Sequence, residues 1–220
     1  MNIQASVIIP AFNEQERLEK TLLTLKEQSW VKEIITVNDG SNDETGEISD
    51  KYSDVSIHLA TNQGKGTALK KGWEKASGNY IVNLDADIGV TASEGVKLLA
   101  PLEYSFIDVV IGTLPPSKKR GFGLVKRKAQ NVIYKRTGKW ITAPLSGQRA
   151  FHREWLKTLL SKDYKGFGIE LAMTIDLIDA GANLVEVDTN ITHRHTGKNW
   201  RGFVHRGKQW LDIEAAVRGG

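Results

Sequence analysis

The chain has 220 residues, 40% hydrophobic and 25% charged, and no apolar run in it approaches the roughly 20 residues that span a bilayer. Its lack of cysteine excludes a disulfide framework, a thiolate metal site and a cysteine nucleophile. A net charge of +4 is too small to indicate nucleic-acid binding, and the N-terminus enters a strand-like segment without a charged leader, so a cytoplasmic protein is expected. Peripheral contact with the inner face of a membrane and a homodimer are both compatible with this sequence.

In chain order, Val7-Ile8-Ile9 is a short apolar strand closed by Pro10. Asn13 with Glu16 makes a capping box, and Leu18, Leu22 and Leu25 follow at helical spacing. Glu33 to Val37 is a second strand, Ser41 with Glu44 caps a polar helix, and Val55 to Leu59 is a third strand. Gly64-Lys65-Gly66 opens a helix carrying Ala68, Leu69 and Trp73. Tyr80 to Leu84 is a strand ending at Asp85-Ala86-Asp87, and Thr91 with Glu94 caps the next helix. Alternation with short connections predicts a single α/β domain whose mixed, mostly parallel sheet is covered by helices on both faces. The later elements are a strand over Asp108 to Gly112, a basic helix over Lys126 to Lys135 and a strand at Gln148 to Phe151. A helix over Glu170 to Ile178 and a strand from Asn183 to Val187, running on toward His193 and His195, complete the set. The segment from Leu114 to Arg120, with two prolines and three basic residues, reads as a loop.

Open α/β sheets bind ligands outside the carboxyl ends of their strands. Asn13-Glu14, Asn38-Asp39-Gly40-Ser41 and Asp85-Ala86-Asp87 all fall at such ends. Any one of these is commonplace as a solvated turn. Three together suit a nucleoside diphosphate, whose charge must be neutralised before it leaves. Mg²⁺ or Mn²⁺ takes one or two carboxylates plus phosphate oxygens. Carboxylates at i and i+2 on an extended strand end point to one side, so one can hold the ion while the other reaches a ribose hydroxyl or a metal-bound water. Asp39 can reach a base or ribose, and Lys65 stands between two glycines at a helix start.

Four segments, Val7 to Glu14, Asn38 to Ser41, Asn62 to Gly66 and Asp85 to Asp87, together resemble the family-2 glycosyltransferases of the GT-A (Rossmann-like) fold over residues 5 to 115. The resemblance implies a nucleotide-sugar-binding half over 1–115, with Pro10, Asn13, Glu14, Asp39, Lys65, Asp85 and Ala86 around the nucleotide and Asp87 on the metal. Pro144 to Ala150 and Gly166 to Glu170 are similar to segments of glucosyl-3-phosphoglycerate synthases and of polyprenyl-phosphate (dolichyl-phosphate type) sugar transferases. An acceptor-binding half over 116–220 follows. In the first subgroup a downstream histidine completes the metal site; His195 is the match, with His193 on the same strand face as the alternative. The chain departs from the polyprenyl-phosphate enzymes at Gly89, where a metal-binding side chain is expected, and from the phosphoglycerate enzymes in its shorter length and in Gln148, where an acid is usual.

The implied reaction moves a sugar from a UDP- or GDP-linked donor to a phosphorylated acceptor. Glu170 is the acceptor-side carboxylate, a general base toward a hydroxyl and an orienting group toward a phosphate. Gln148, Arg149, Arg120 and Arg127 are acceptor contacts, since guanidinium groups bind phosphate oxygens two at a time. Lys118, Lys119 and Lys126 add charge to that stretch, which as a bland alternative is a solvated face. Gly202 to Lys208 has P-loop spacing, but Gln209 stands where Ser or Thr is required. Trp200, Phe203 and Trp210 fit either core packing or contact with a lipid interface. A sugar-nucleotide nucleotidyltransferase and a non-catalytic nucleotide-sugar-binding protein are the competing readings. The first would carry a glycine-rich loop in place of Pro10-Ala11-Phe12-Asn13-Glu14; acceptor-free hydrolysis of a nucleotide sugar would exclude the second.

Overall fold

A computed structural model describes residues 3–115, 123–164 and 168–193. Its centre is a seven-stranded sheet in the order β3-β2-β1-β4-β6-β5-β7. The strands are β1 (Ala5–Ala11), β2 (Val31–Asn38), β3 (Val55–His58), β4 (Tyr80–Asn83), β5 (Val109–Thr113), β6 (Arg149–His152) and β7 (Leu184–Asp188). All neighbours pair in parallel except β6, which lies antiparallel between β4 and β5.

The central strands β1 and β4 and the second half of β2 read as apolar runs because both faces are covered there. Side chains alternate along β1, so Val7 and Ile9 meet Leu18, Leu22 and Leu25 of α1 (Gln15–Lys26). Ile8 on the other face meets Leu69 and Trp73 of α3 (Lys65–Trp73). Leu156 and Leu159 of α6 (Leu156–Leu160) and Met173 and Leu177 of α7 (Ile169–Asp179) extend that second layer. α5 (Gly123–Thr137) packs Val125, Ala129 and Ile133 against Leu171 and Ile175 of α7. Among the described residues the remaining α-helices are α2 (Thr45–Tyr52) and α4 (Val96–Leu99).

Four local expectations change; the first is the Ser41–Glu44 cap, since α2 begins only at Thr45 without a side-chain cap and Ser41 Oγ accepts Asn13 N–H instead. β1 continues through Pro10 to Ala11. Ile8 offers its carbonyl to Leu84 N–H on the β4 side, so the alternation turns Pro10 the same way. The β4 ladder ends at Ile8 opposite Asn83, and the missing proline N–H interrupts nothing. The Asn13–Glu16 capping box does not form: Asn13 is left-handed, at φ 56°, and α1 is capped from the neighbouring loop. Glu14 N–H donates to Thr45 Oγ1, and Asn13 Oδ1 accepts from Asn42 N–H at 2.9 Å. After β4, Gly89–Gly95 forms a 3₁₀ stretch before α4, and Thr91 Oγ1 bonds back to Ile88 O.

The order places the reversal of strand sequence between β1 and β4, the point where an open α/β sheet has its crevice. Because β6 runs backward, its first residue, Arg149, lies opposite Asn83 at the end of β4. The loop before β6 is thereby carried to Asp85.

Candidate active site

A cleft of about 850 Å³ opens over these strand ends. One wall holds Pro10, Glu14, Asp39 and Gln63-Gly64; the floor holds Lys65, Asp85, Ala86 and Asp87; the far wall holds Val125, Leu145, Ile169, Glu170 and His193. Asp39 is buried and accepts Gln63 N–H on one oxygen at 2.7 Å and Gly64 N–H on the other at 2.9 Å. It thus fixes the turn that begins α3. Gly40, at φ 71°, lies so close to Thr61 and Asn62 that a Cβ would stand 2.5 Å from the Thr61 carbonyl carbon. No side chain is tolerated there.

Lys65 is the first residue of α3, after Gly64 at φ 91°. Its Nζ donates to Asp85 Oδ1 and to Glu170 Oε1, both at 2.7 Å. A lysine at a helix N-terminus opposes the helix dipole, and these two carboxylates compensate for it. Glu170, in the first turn of α7, has the favourable sign there. Asp87 Oδ1 lies 2.9 Å from His193 Nδ1, and Asp85 Oδ2 lies 3.8 Å from the same nitrogen. The i, i+2 pair therefore does serve one side. Gly147 crosses directly over the ion pair, where a Cβ would be 2.6 Å from Lys65 Nζ and 2.7 Å from Asp85 Oδ1.

Residues 6–160 match the family described as Glycosyl transferase family 2. The chain belongs to that family. It is a glycosyltransferase. An undecaprenyl-phosphate 4-deoxy-4-formamido-L-arabinose transferase of Salmonella choleraesuis is 32% identical over 171 residues, covering 71% of this chain and 51% of that protein. The glycosyltransferase thus spans about half the length of that relative. An uncharacterized protein of Methanocaldococcus jannaschii is 31% identical over 163 residues, covering 70% and 67% of the two chains. The glucosyl-3-phosphoglycerate synthase of Mycobacterium tuberculosis, in complex with Mn²⁺, UDP and glucosyl-3-phosphoglycerate, aligns with a TM-score of 0.80 at 23% identity, over 98% of this chain and 78% of that one. The fold is the GT-A type.

The electrostatics of the glycosyltransferase cleft follow from its geometry. Burial disfavours the Lys65 ammonium, but Asp85 and Glu170 more than offset this and hold its pKa above the ordinary lysine value. For Asp85, burial pushes up while Lys65 and His193 pull down, and the net pKa is lowered. His193 is depressed by burial yet raised overall by Asp87 and Asp85. Among the described residues, no three His, Asp or Glu side chains close into a ready metal cage. Within the cleft, Asp87 and His193 set an oxygen and a nitrogen 2.9 Å apart, donor types that could face one ion whose remaining ligands are phosphate oxygens.

Three expected acceptor contacts, Arg149, Gln148 and Arg127, lie elsewhere. Arg149 is fully buried, with Nε on Ser146 O, one terminal nitrogen on Thr174 Oγ1 and the other on Pro144 O. Desolvation pushes its pKa down to about 10. It holds the Pro144–Gly147 loop to α7 and faces away from the cleft. Gln148 is also fully buried and contacts Asp85, since the antiparallel entry of β6 turns it beneath the floor. Arg127 and Lys126 are exposed on α5 and do not line the cleft. Asn13 lies outside the lining and serves the rim by tying the first two loops together. Arg120, Lys118, Lys119, His195, the P-loop-like segment and the C-terminal aromatic residues lie outside the described residues. β7 ends at Asp188, so His193 is placed by the following loop and not by a shared strand face. The Lys65 bridge between Asp85 and Glu170, whose longer arm joins Lys65 to a residue 105 positions away, has no signal in the sequence.

Proposed function

We propose that the enzyme moves a sugar from a UDP- or GDP-linked donor to a phosphorylated acceptor in a reaction that depends on Mg²⁺ or Mn²⁺. The observation that carries this reading is the meeting of Asp85, Asp87, His193, Lys65 and Glu170 at the switch point of the sheet. Residues 1–115 form the donor half and 116–220 the acceptor half. Pro10, Glu14 and Asp39 border the base and ribose, with Asn13 bracing their loop. Asp85 and Ala86 border the diphosphate. Asp87 with a histidine of the Thr192-His193-Arg194-His195 segment holds the metal, and His193 is the one beside it among the described residues. A divalent ion so held supplies Lewis-acid stabilisation to the departing diphosphate.

The acceptor is polyprenyl phosphate or a phosphoglycerate-like acid, and Val125, Leu145 and Ile169 favour the first, because they line the cleft with Glu170 as apolar side chains. An acceptor phosphate is already ionised near pH 7. Glu170, bonded to Lys65, then orients the acceptor and leaves proton removal unnecessary; a hydroxyl acceptor would instead require it as the base. We assign Arg120 and Arg127 to contact with the acceptor phosphate. Among the described residues no helix is long and apolar enough to cross a membrane. We place the reaction in the cytoplasm, at the inner membrane face for a lipid acceptor.

The test is a thermal-shift screen of nucleotides and nucleotide sugars with Mn²⁺, since a ligand of the folded state raises the melting temperature. The donor found is then assayed with polyprenyl phosphate and with 3-phosphoglycerate. Absence of any metal-dependent shift would remove the donor assignment. An unchanged acceptor KM in Arg120→Ala and Arg127→Ala would remove the two arginines from the acceptor site.

A further inference from the structure

Asp85 and Asp87 stand two residues apart beside one imidazole, and they do different things. His193 Nδ1 is 2.9 Å from Asp87 Oδ1 but 3.8 Å from Asp85 Oδ2. What separates the two carboxylates is Gln148. Its Nε2 donates to Asp85 Oδ2 at 2.6 Å, the same oxygen that His193 approaches, and its Oε1 accepts the Asp85 backbone N–H at 3.3 Å. The two contacts fix the amide orientation, because a flipped amide would set oxygen against carboxylate and N–H against N–H. With Lys65 on Oδ1 and Gln148 on Oδ2, both Asp85 oxygens are engaged.

The clamp is itself braced from below. Gln148 C=O accepts Gly112 N–H of β5 at 2.8 Å, and Gln148 N–H reaches Ser146 Oγ at 3.3 Å. Gly112 is bare where a Cβ would lie 3.2 Å from Gln148 Cβ and 3.0 Å from Leu98 Cδ2. The glutamine therefore carries the register of β5 and β6 up to the end of β4.

We infer that Gln148 is a positioning residue that ties Asp85 to the Lys65 side of the floor and so reserves His193 for Asp87. The neutral amide matters as much as the shape. A glutamate would set a second carboxylate against Asp85, and an apolar side chain would leave Asp85 N–H and Oδ2 without this partner. The functional consequence rests on the donor-site reading above; the positional one does not.

The experiment compares wild type with Gln148→Met and Gln148→Glu by crystal structure and by calorimetric titration with UDP, with and without Mn²⁺. Gln148→Met is expected to bring His193 Nδ1 within hydrogen-bonding distance of Asp85 Oδ2 and to break its contact with Asp87. UDP affinity in Mn²⁺ should fall about tenfold, the scale of one charge-assisted bond, while metal-free affinity stays within about twofold. Gln148→Glu should shift Asp85 and lose Mn²⁺-dependent affinity in the same direction; it decides the matter if the methionine variant does not fold. An unmoved Asp85–His193 geometry together with wild-type affinity in the folded variant would overturn the inference. If wild type itself shows no Mn²⁺-dependent binding of UDP, or of GDP in a parallel titration, the donor reading fails, and the two variant structures still judge the clamp.

Discussion

On the β1–β2 side of the cleft, acidic and amide side chains hold backbone N–H groups: Asp39 holds Gln63 and Gly64, and Asn13 holds Asn42. On the β4–β6 side they hold one another, through Lys65 with Asp85 and Glu170, Gln148 with Asp85, and His193 with Asp87. The first wall is a shaped surface whose side chains act by fixing loops. The second is a cluster of three carboxylates with Lys65 and His193, whose members act by fixing each other. A substitution on the first wall should therefore move backbone, and one on the second should upset charge.

The largest effect is expected at Lys65, which joins the floor at Asp85 to the far wall at Glu170. Lys65→Met leaves Asp85 and Glu170 facing each other without their cation. Removing one partner of a buried pair costs several kcal/mol, but these side chains keep 14–32% exposure, so a loss of about 2 kcal/mol is expected in urea unfolding. Transferase activity should fall at least about a hundredfold, the equivalent of roughly 3 kcal/mol in the transition state. Wild-type turnover would show that the cluster is not the catalytic floor.

Asp39→Ala tests the other wall. It frees two N–H groups that now meet a carboxylate and should cost about 2 kcal/mol. The distinguishing readout is amide exchange, which should quicken at the start of α3 and leave α7 unchanged. Equal quickening in both helices would erase the contrast between the walls.

The smallest effect lies outside both walls. Glu33 accepts from Ser6 Oγ, Ser77 N–H and Ser77 Oγ; burial pushes its carboxyl up, but these bonds pull it down, and its pKa lies below the usual 4.5. A depressed carboxylate contributes stability that is full above its unfolded pKa and is lost as pH falls through the folded value. Glu33→Gln should therefore flatten the acid limb of the stability curve by under about 1 kcal/mol and leave activity near neutrality untouched. A change in turnover would mean that the far end of β1 is coupled to the cleft.

Much of this arrangement was readable from residue order. Strands β1, β2 and β4 announce themselves because a parallel sheet buried on both faces needs apolar runs, while the edge strand β3 shows only the Val55/Ile57 alternation. Their polar ends name Asp39, Asp85 and Asp87 by position alone, and Glu170 follows from its place at a helix start. The unreadable part depends on pairing across the sheet. Ser146-Gly147-Gln148-Arg149 is equally polar whether it faces solvent or core, and only the antiparallel entry of β6 beside β4 turns Gln148 and Arg149 inward. The shared strand face that leaves His193 and His195 as alternatives is absent, because the strand stops at Asp188, five residues short of His193.

The most direct test of the donor site is calorimetric titration of UDP and GDP into wild type and Asp87→Ala, each with Mn²⁺ and with chelator. Wild type should bind one nucleotide at least about tenfold more tightly with Mn²⁺ than without it, and Asp87→Ala should lose that difference while keeping its metal-free affinity. Equal affinity with and without metal in wild type, or an undiminished Mn²⁺ effect in Asp87→Ala, would contradict the assignment of this cluster as a metal-diphosphate site.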